Sequence, residues 1–301
     1  MYDLIIVGAG PAGITAAIYA ARKKLNFLVM TKDIGGQAGI SADIENYTGY
    51  QYIAGPDLVK KFKDHMDEFK MEVKEGEEVV GVEKINGTFR VKTDTETYES
   101  KTLIIATGAK PRTLNVPGEG KFKNRGVTYC ATCDAPLFAN MDVAVIGGGN
   151  SALDATLQLI KIANRIYLIN INPSFRGDEV MIEKVEKSDK VITLYNTKTL
   201  EILGDKMVTG IRLEKDGEQK ILNVQGVFVE IGYVANSDLV ANLVELNKRG
   251  EVVVDEHCKT NLPGIFSVGD VSSAPYKQIV VAAGDGAKAA LSAYEYLSKL
   301  R

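Results

Sequence analysis

Short apolar runs that open onto glycines recur along this chain. Leu4 to Val7 leads into Gly8-Ala-Gly-Pro-Ala-Gly13 and then an alanine-rich stretch. Val143 to Ile146 leads into Gly147-Gly-Gly149, then Asn150, Ser151, Ala152 and Leu153. Each run is too short and too uniformly apolar for a surface strand, so it reads as a buried strand opening onto a helix. Two copies of one strand–turn–helix plan indicate an internal duplication. Further strands are expected at Phe27 to Met30, Thr102 to Ala106, Arg165 to Ile169, Gly226 to Ile231 and Ile265 to Val268. Two stretches are polar and β-prone instead. Val79 to Thr97, with Asn86-Gly87, and Leu194 to Val224, with Asp216-Gly217, read as small antiparallel insertions with hairpin turns. A last helix is expected over about Ala282 to Leu297.

The pattern predicts an α/β fold of two doubly wound, Rossmann-like dinucleotide-binding domains, each with a small antiparallel β insertion. The second is expected to be inserted into the first: residues 1–113 and 247–301 form one domain and 114–246 the other. Pro111 to Pro117 and the Gly250 region are the expected linkers.

With 301 residues, the chain is long enough for two cores. A net charge of −3 offers nothing to nucleic acid or an acidic membrane surface. No apolar run reaches membrane-spanning length. No signal peptide precedes the first strand, and a cytoplasmic location is expected. Three cysteines, Cys130, Cys133 and Cys258, make no disulfide framework.

Glycines at 8, 10 and 13 allow a tight turn and close backbone approach to a pyrophosphate, with the next helix aiming its N–H groups at the charge. Without a ligand the same glycines would simply pack a strand against a helix. No acidic residue closes the second strand near Met30, where a ribose-binding carboxylate often sits. Cys130-Ala-Thr-Cys133 followed by Asp134 has three readings. A structural zinc site needs four ligands, and only Cys258, His65 and His257 could complete one, so no metal is expected. Two inert thiols leave Asp134 unexplained. A redox pair is favoured, since two intervening residues let both sulfurs share one turn.

Taken in order, Gly8 to Gly13, Ala106-Thr107-Gly108, Cys130 to Asp134, Gly147-Gly-Gly149 with Ala152, and Gly269-Asp270 resemble the low-molecular-weight thioredoxin reductase family over essentially the whole chain. Gly35-Gly36-Gln37 and Glu45-Asn46-Tyr47 resemble that family's flavin loop. Thr128 to Cys130, Pro136 to Phe138 and Pro275 to Ile279 are also similar to the flavoprotein subunit of alkyl hydroperoxide reductase. That subunit carries an N-terminal thioredoxin-like region, which this sequence is expected to lack, so a separate dithiol protein would receive the electrons.

The resemblance implies an FAD-dependent thioredoxin-disulfide reductase acting as a homodimer, with rotation between domains. FAD would be held by Gly8, Gly10, Pro11, Ala12, Gly36, Gln37, Asn46, Ala106, Thr107, Gly108, Gly269, Asp270, Lys277, Gln278 and Ile279. Cys133 would face the flavin, Cys130 would attack the disulfide of thioredoxin or a thioredoxin-like protein, and Asp134 would be the general acid or base. Asp134 can also be read as a helix cap, and the Gly that usually follows it is Ala135 here. The last helix would aim its N-terminus at the flavin edge that becomes negative on reduction. Cys258 matches no motif and reads as a packed or surface residue.

The electron donor departs from the family's pattern. Gly147, Gly149, Asn150, Ser151 and Arg176 could hold a nicotinamide dinucleotide. The basic residues that grip a 2′-phosphate in NADPH-using members are replaced by Asn170-Ile171-Asn172, with only Arg176 kept, and no carboxylate stands near Asn170 for an NADH ribose. The donor is therefore open between NADPH, NADH and reduced ferredoxin, the last as in ferredoxin-dependent flavin thioredoxin reductases. A flavin redox sensor and a peroxide-forming NAD(P)H oxidase are the alternatives without protein dithiol output.

Overall fold

A computed structural model describes residues 1–40, 43–44 and 46–300; the side chains of Ile40, Asp43 and Cys133 lie outside the description. The chain forms two compact units, Met1–Lys110 with Val234–Arg301, and Pro111–Tyr233. The first crossing lies close to the expected position 113. The return falls at Val234 instead of 247 because Ala235, Val240 and Val244 are buried in one cluster with Ile5, Val7, Val79 and Val82 of the first unit. The Gly250 region is accordingly an internal turn, closed by Gly250 N–H on the Asn247 carbonyl (2.9 Å), and not a linker.

The first unit is built on a seven-stranded sheet. Its centre is Tyr2–Ala9, flanked in parallel by Phe27–Ile34 and Thr97–Ile105. Leu4 and Ile6 face the helices Pro11–Arg22 and Ile279–Ser298, while Ile5 and Val7 face the cluster around Val82 and Val240. Burial on both faces explains an unbroken apolar run. Strand Phe27–Ile34 continues past Met30, where apolar sequence ends, because a bulge after Val7 lets Ala9 N–H reach Thr31 Oγ1 (3.2 Å). The expected hairpin is present as Val79–Ile85 and Thr88–Thr93, with Asn86 and Gly87 both at positive φ (48° and 86°).

The second unit repeats the plan. Its five-stranded parallel sheet runs in the order Val127–Thr128, Gly226–Val229, Asp142–Ile146, Arg165–Ile169, Val191–Leu194. A separate antiparallel sheet, Lys198–Gly204, Val208–Lys215 and Glu218–Leu222, fills the second polar stretch and turns at Asp216-Gly217. Among the described residues no helix is long and apolar enough to cross a membrane.

Helices Pro11–Arg22 and Ile279–Ser298 pack through alanines, with Ala16, Ala17, Ala20, Ala289, Ala290 and Ala293 all buried. The crossing is tight enough that a Cβ on Gly286 would stand 2.1 Å from the Ala12 carbonyl oxygen, whereas one on Gly284 would meet nothing within 4 Å. Gly286→Val is expected to lower unfolding free energy by roughly 2 kcal/mol through overpacking. Gly284→Ala should raise it by up to about 1 kcal/mol through helix propensity. Urea denaturation of both variants checks the pair; equal effects would contradict the packing argument.

Candidate active site

The first glycine turn is walled on two sides and open on the third. A Cβ on Gly8 would lie 2.4 Å from the Ala106 carbonyl oxygen, and one on Gly13 would lie 1.9 Å from that of Gly8. Gly10, by contrast, faces open space. It caps the helix that begins at Pro11, and its carbonyl accepts the Ile14 N–H at 2.9 Å. An anionic pyrophosphate fits the Gly10 face, where among the described residues nothing stands within 4 Å of a Cβ built on Gly10.

Other segments gather around that turn. A Cβ on Gly36 would approach the Gly10 Cα at 3.5 Å, which sets the Gly36–Ile40 turn and Gln37 beside the first turn. At the end of the second strand, Asp33 Oδ1 accepts the Gly36 N–H at 3.3 Å. An acidic residue, Asp33, thus stands three positions after Met30, one before the strand ends at Ile34. Gly269 lies against Ala12 and Ala282, at 3.2 and 3.5 Å from its Cβ position. This places Asp270 by the first helix. Burial raises the Asp270 carboxyl, and Lys277 nearby pulls it back. The Lys277 ammonium donates to the Ser272 carbonyl (2.5 Å) and pairs with Glu251 Oε1 (3.3 Å). Gln278 precedes Ile279 as the cap residue of the last helix, and its Oε1 accepts from Asn46 Nδ2 at 3.0 Å. Glu45 lies outside the described residues.

Asn236 is a residue that sequence reasoning missed. Its N–H donates to the Gly108 carbonyl (3.0 Å) and its Nδ2 to the Thr107 carbonyl (2.9 Å), while Thr107 Oγ1 donates to its carbonyl (2.7 Å). The Ala106-Thr107-Gly108 turn is thus shaped by a side chain 128 positions or more away, which no local pattern reveals.

The second glycine turn has the same construction. A Cβ on Gly147 would stand 2.2 Å from the Glu230 carbonyl oxygen and 2.8 Å from the Ala152 Cβ, while Gly149 faces open space. Arg176 is exposed, and its N–H donates to the Gly148 carbonyl at 2.7 Å. Asn150 Oδ1 accepts the Asp178 N–H at 2.8 Å, draping that loop over the next helix. Ser151 is exposed. Asn170 is only 1% exposed, and its amide is spent locally. Nδ2 donates to the Ser174 carbonyl at 2.8 Å, and Oδ1 accepts the Asn172 N–H at 3.0 Å.

In the same unit, Cys130 is disulfide-bonded and half-buried. Its carbonyl accepts the Asp134 N–H (3.2 Å), closing the helical turn Ala131–Asp134. Thr128 Oγ1 accepts the Cys130 N–H at 3.2 Å and donates to Asp134 Oδ2, so one hydroxyl ties both ends of the turn. The side chain of the expected partner, Cys133, lies outside the described residues. Tyr129 OH donates to buried Glu119, which also accepts the N–H groups of Leu114 and Asn115 (2.9, 2.8 and 2.7 Å). Burial and this carboxylate both raise the Tyr129 phenol. Cys258 is a free, buried thiol at positive φ (62°), and burial raises it to about 11.

A family model described as pyridine nucleotide-disulphide oxidoreductase matches residues 2–286. The chain belongs to this family. The oxidoreductase is 42% identical over 299 residues to the alkyl hydroperoxide reductase F subunit of Staphylococcus aureus, covering 98% of this chain and 59% of that protein. It is 40% identical over 299 residues to a Bacillus subtilis protein named NADH dehydrogenase, covering 98% and 58%. The chain spans about three-fifths of the length of these curated relatives. Among solved structures, thioredoxin reductase of Lactococcus lactis aligns with TM-score 0.92 and 35% identity over 99% of this chain and 100% of that one. That of T. acidophilum aligns with TM-score 0.89 and 35% identity, covering 100% and 99%. The fold and family are thus of thioredoxin reductase type, with FAD and NAD(P)H as the family's cofactors. The walled turn with its open Gly10 face fits the dinucleotide.

This oxidoreductase holds one further group that its sequence did not single out. Glu230 follows the strand Gly226–Val229, is only 8% exposed, and accepts the backbone N–H of Ala131, between the two cysteines in sequence. Burial pushes its carboxyl up to about 8; the Ala131 N–H pulls it down and Asp154 pushes it further up. The unfolded chain loses this proton near pH 4.5, and the folded chain holds it until about 8. The contribution of Glu230 to stability is therefore fully present below pH 4.5 and is lost as pH rises from there to about 8. Glu230→Gln removes that slope. Its stability relative to the unsubstituted protein is expected to grow by on the order of 1 kcal/mol per pH unit across this window. Denaturation midpoints in a pH series check the sign; parallel curves would contradict it.

Proposed function

We propose that this chain is an FAD-dependent disulfide reductase that carries electrons from NADH through Cys130 and Cys133 to thioredoxin or a thioredoxin-like protein. The observation that carries the reading is the disulfide-bonded Cys130 on a tied helical turn, within the unit that bears the second glycine turn. Bound FAD supplies two-electron reduction chemistry. Gly8, Gly10 and the Ala106–Gly108 turn would hold its pyrophosphate side, and Asp270, Lys277 and the start of the last helix its flavin side. Once the disulfide is reduced, Cys130 as thiolate attacks one sulfur of the partner's disulfide. A mixed disulfide forms and the partner's other sulfur leaves. Cys133 then attacks Cys130, restoring the internal disulfide and releasing the second partner sulfur. Asp134, held by Thr128, exchanges the accompanying proton. The working form is a homodimer.

NADH is preferred over NADPH because positions 170 to 172 offer no cation to a 2′-phosphate, and the Asn170 amide is already spent. The relative named NADH dehydrogenase supports that choice.

Anaerobic mixing with NADH, NADPH or reduced ferredoxin, followed by flavin absorbance, tests the donor. NADH should bleach the flavin fastest; bleaching by ferredoxin alone would overturn the proposal. Cys133→Ser should keep FAD bound and lower reduction of thioredoxin by roughly 100-fold or more. Native rates in that variant, or undiminished peroxide production as the main output, would point to an oxidase instead.

A further inference from the structure

We propose that Glu251 is a positioning residue of the flavin site, fixing the Lys277 ammonium and offsetting its charge, so that bound flavin is harder to reduce than the cation alone would make it. The inference rests on the proposed placing of FAD beside Asp270, Lys277 and the start of the last helix, and deepens that reading.

Glu251 is a buried acid, 7% exposed, with more partners than its own turn requires. Its Oε2 accepts from Asn247 Nδ2 (2.7 Å) and from Arg249 Nε and Nη2 (3.1 and 2.9 Å). Both donors belong to the turn that the Gly250 N–H closes, and Arg249 already matches the charge of the carboxylate. The other oxygen, Oε1, is turned to the Lys277 ammonium at 3.3 Å, well outside that turn. Bracing of the turn accounts for Oε2 and not for Oε1.

Lys277 lies in a segment with little regular structure to hold it. Residues 273–278 form neither helix nor strand, and 275–278 are exposed. The ammonium also donates to the Ser272 carbonyl. The main chain brings Glu251 to the same place. Val252 N–H donates to the Val271 carbonyl (2.9 Å), and Ser273 N–H donates to the Val252 carbonyl (2.8 Å). Two carboxyls therefore share one ammonium. Burial raises the Asp270 carboxyl, and Lys277 pulls it back. Burial also raises Glu251, but Asn247 and Lys277 bring it below its ordinary value, so it stands ionised against the ammonium. A lysine ammonium on its flexible stem would otherwise swing freely. Two electrons and one proton give a reduced flavin with one added negative charge. An unmatched cation beside it would favour that charge, and a cation held on Glu251 favours it less.

The flavin-loaded full chain is reduced slowly and anaerobically with dithionite beside a two-electron dye of known potential. Flavin and dye absorbances give the ratio of reduced to oxidised flavin at each poise. Glu251→Gln keeps the shape and an acceptor for Lys277 but loses the charge. It is expected to raise that ratio roughly tenfold at a fixed poise, a shift of about 30 mV for a two-electron couple. Lys277→Met should lower the ratio by a similar factor, and the double variant should return to within about threefold of the unsubstituted protein. A brace without an electrostatic role would not give opposite shifts that cancel. With FAD bound, an unmoved or lowered ratio in Glu251→Gln overturns the proposal, as does a double variant that keeps the full shift of either single one. Should Glu251→Gln fail to fold, a ratio in Lys277→Met that equals or exceeds the unsubstituted one overturns it instead. If the unsubstituted chain retains no FAD, the flavin reading itself falls and this inference with it.

Discussion

In both units a backbone carbonyl is aimed at a place where no Cβ can stand. Ala106 closes on Gly8 in the first unit and Glu230 on Gly147 in the second, at 2.4 and 2.2 Å from the would-be Cβ positions. Both glycines also sit at positive φ (102° and 152°), so an L side chain is excluded by conformation as well as by space. This contact fixes how closely the neighbouring strand comes to the turn. The turn fixes where the helix starts, and the helix start fixes the direction of its unpaired N–H groups. A ligand site at the carboxyl ends of parallel strands follows from that one approach distance.

Because the outer positions of each turn are walled, function is left to what lies around the open one. In the first unit the contacts around the open turn are small: Gly36 faces Gly10, and Gly269 faces Ala12. In the second, the Asn170 side chain closes over Gly148, within 2.6 Å of a Cβ built there, and Glu230 replaces the alanine of the first copy. The same scaffold therefore offers one unit lined for close approach of a dinucleotide and another in which polar side chains occupy equivalent ground. A duplicated scaffold constrains backbone and leaves side chains free to diverge.

The architecture was largely legible because its determinants are local. Buried strands, paired glycines and the Asn86-Gly87 and Asp216-Gly217 turns each announce themselves within a few residues. The extension of the second strand to Ile34 was hidden, because Thr31 to Asp33 are polar and the strand is kept by hydrogen bonds to Ala9 and the turn after it. The return at Val234 was hidden for a related reason. Ala235, Val240 and Val244 are spaced too irregularly to announce a core, and only contact with Ile5 and Val7 reveals one. Asn236 and Glu230 stayed invisible because each acts on a turn that is distant in sequence, Thr107-Gly108 and Ala131 respectively.

The donor was hard to read for an electrostatic reason. A pyrophosphate is satisfied by backbone N–H groups, whose positions follow from the fold, and the glycines that arrange them are easy to recognise. A 2′-phosphate carries extra charge that only side chains can meet, and bidentate guanidinium contacts are the efficient way to meet it. Here Asn170 has withdrawn into its own loop, and Arg176 is fixed through its main chain while its side chain is exposed. A single solvated cation discriminates weakly at physiological ionic strength, where exposed charges are screened within about 8 Å. Preference at such a site must come chiefly from the absence of a second and third cation. Under the proposed use of NADH, an absence of charge would withhold affinity from the phosphorylated dinucleotide without adding any to the other, so specificity would be a weaker grip on one donor more than a stronger grip on its rival.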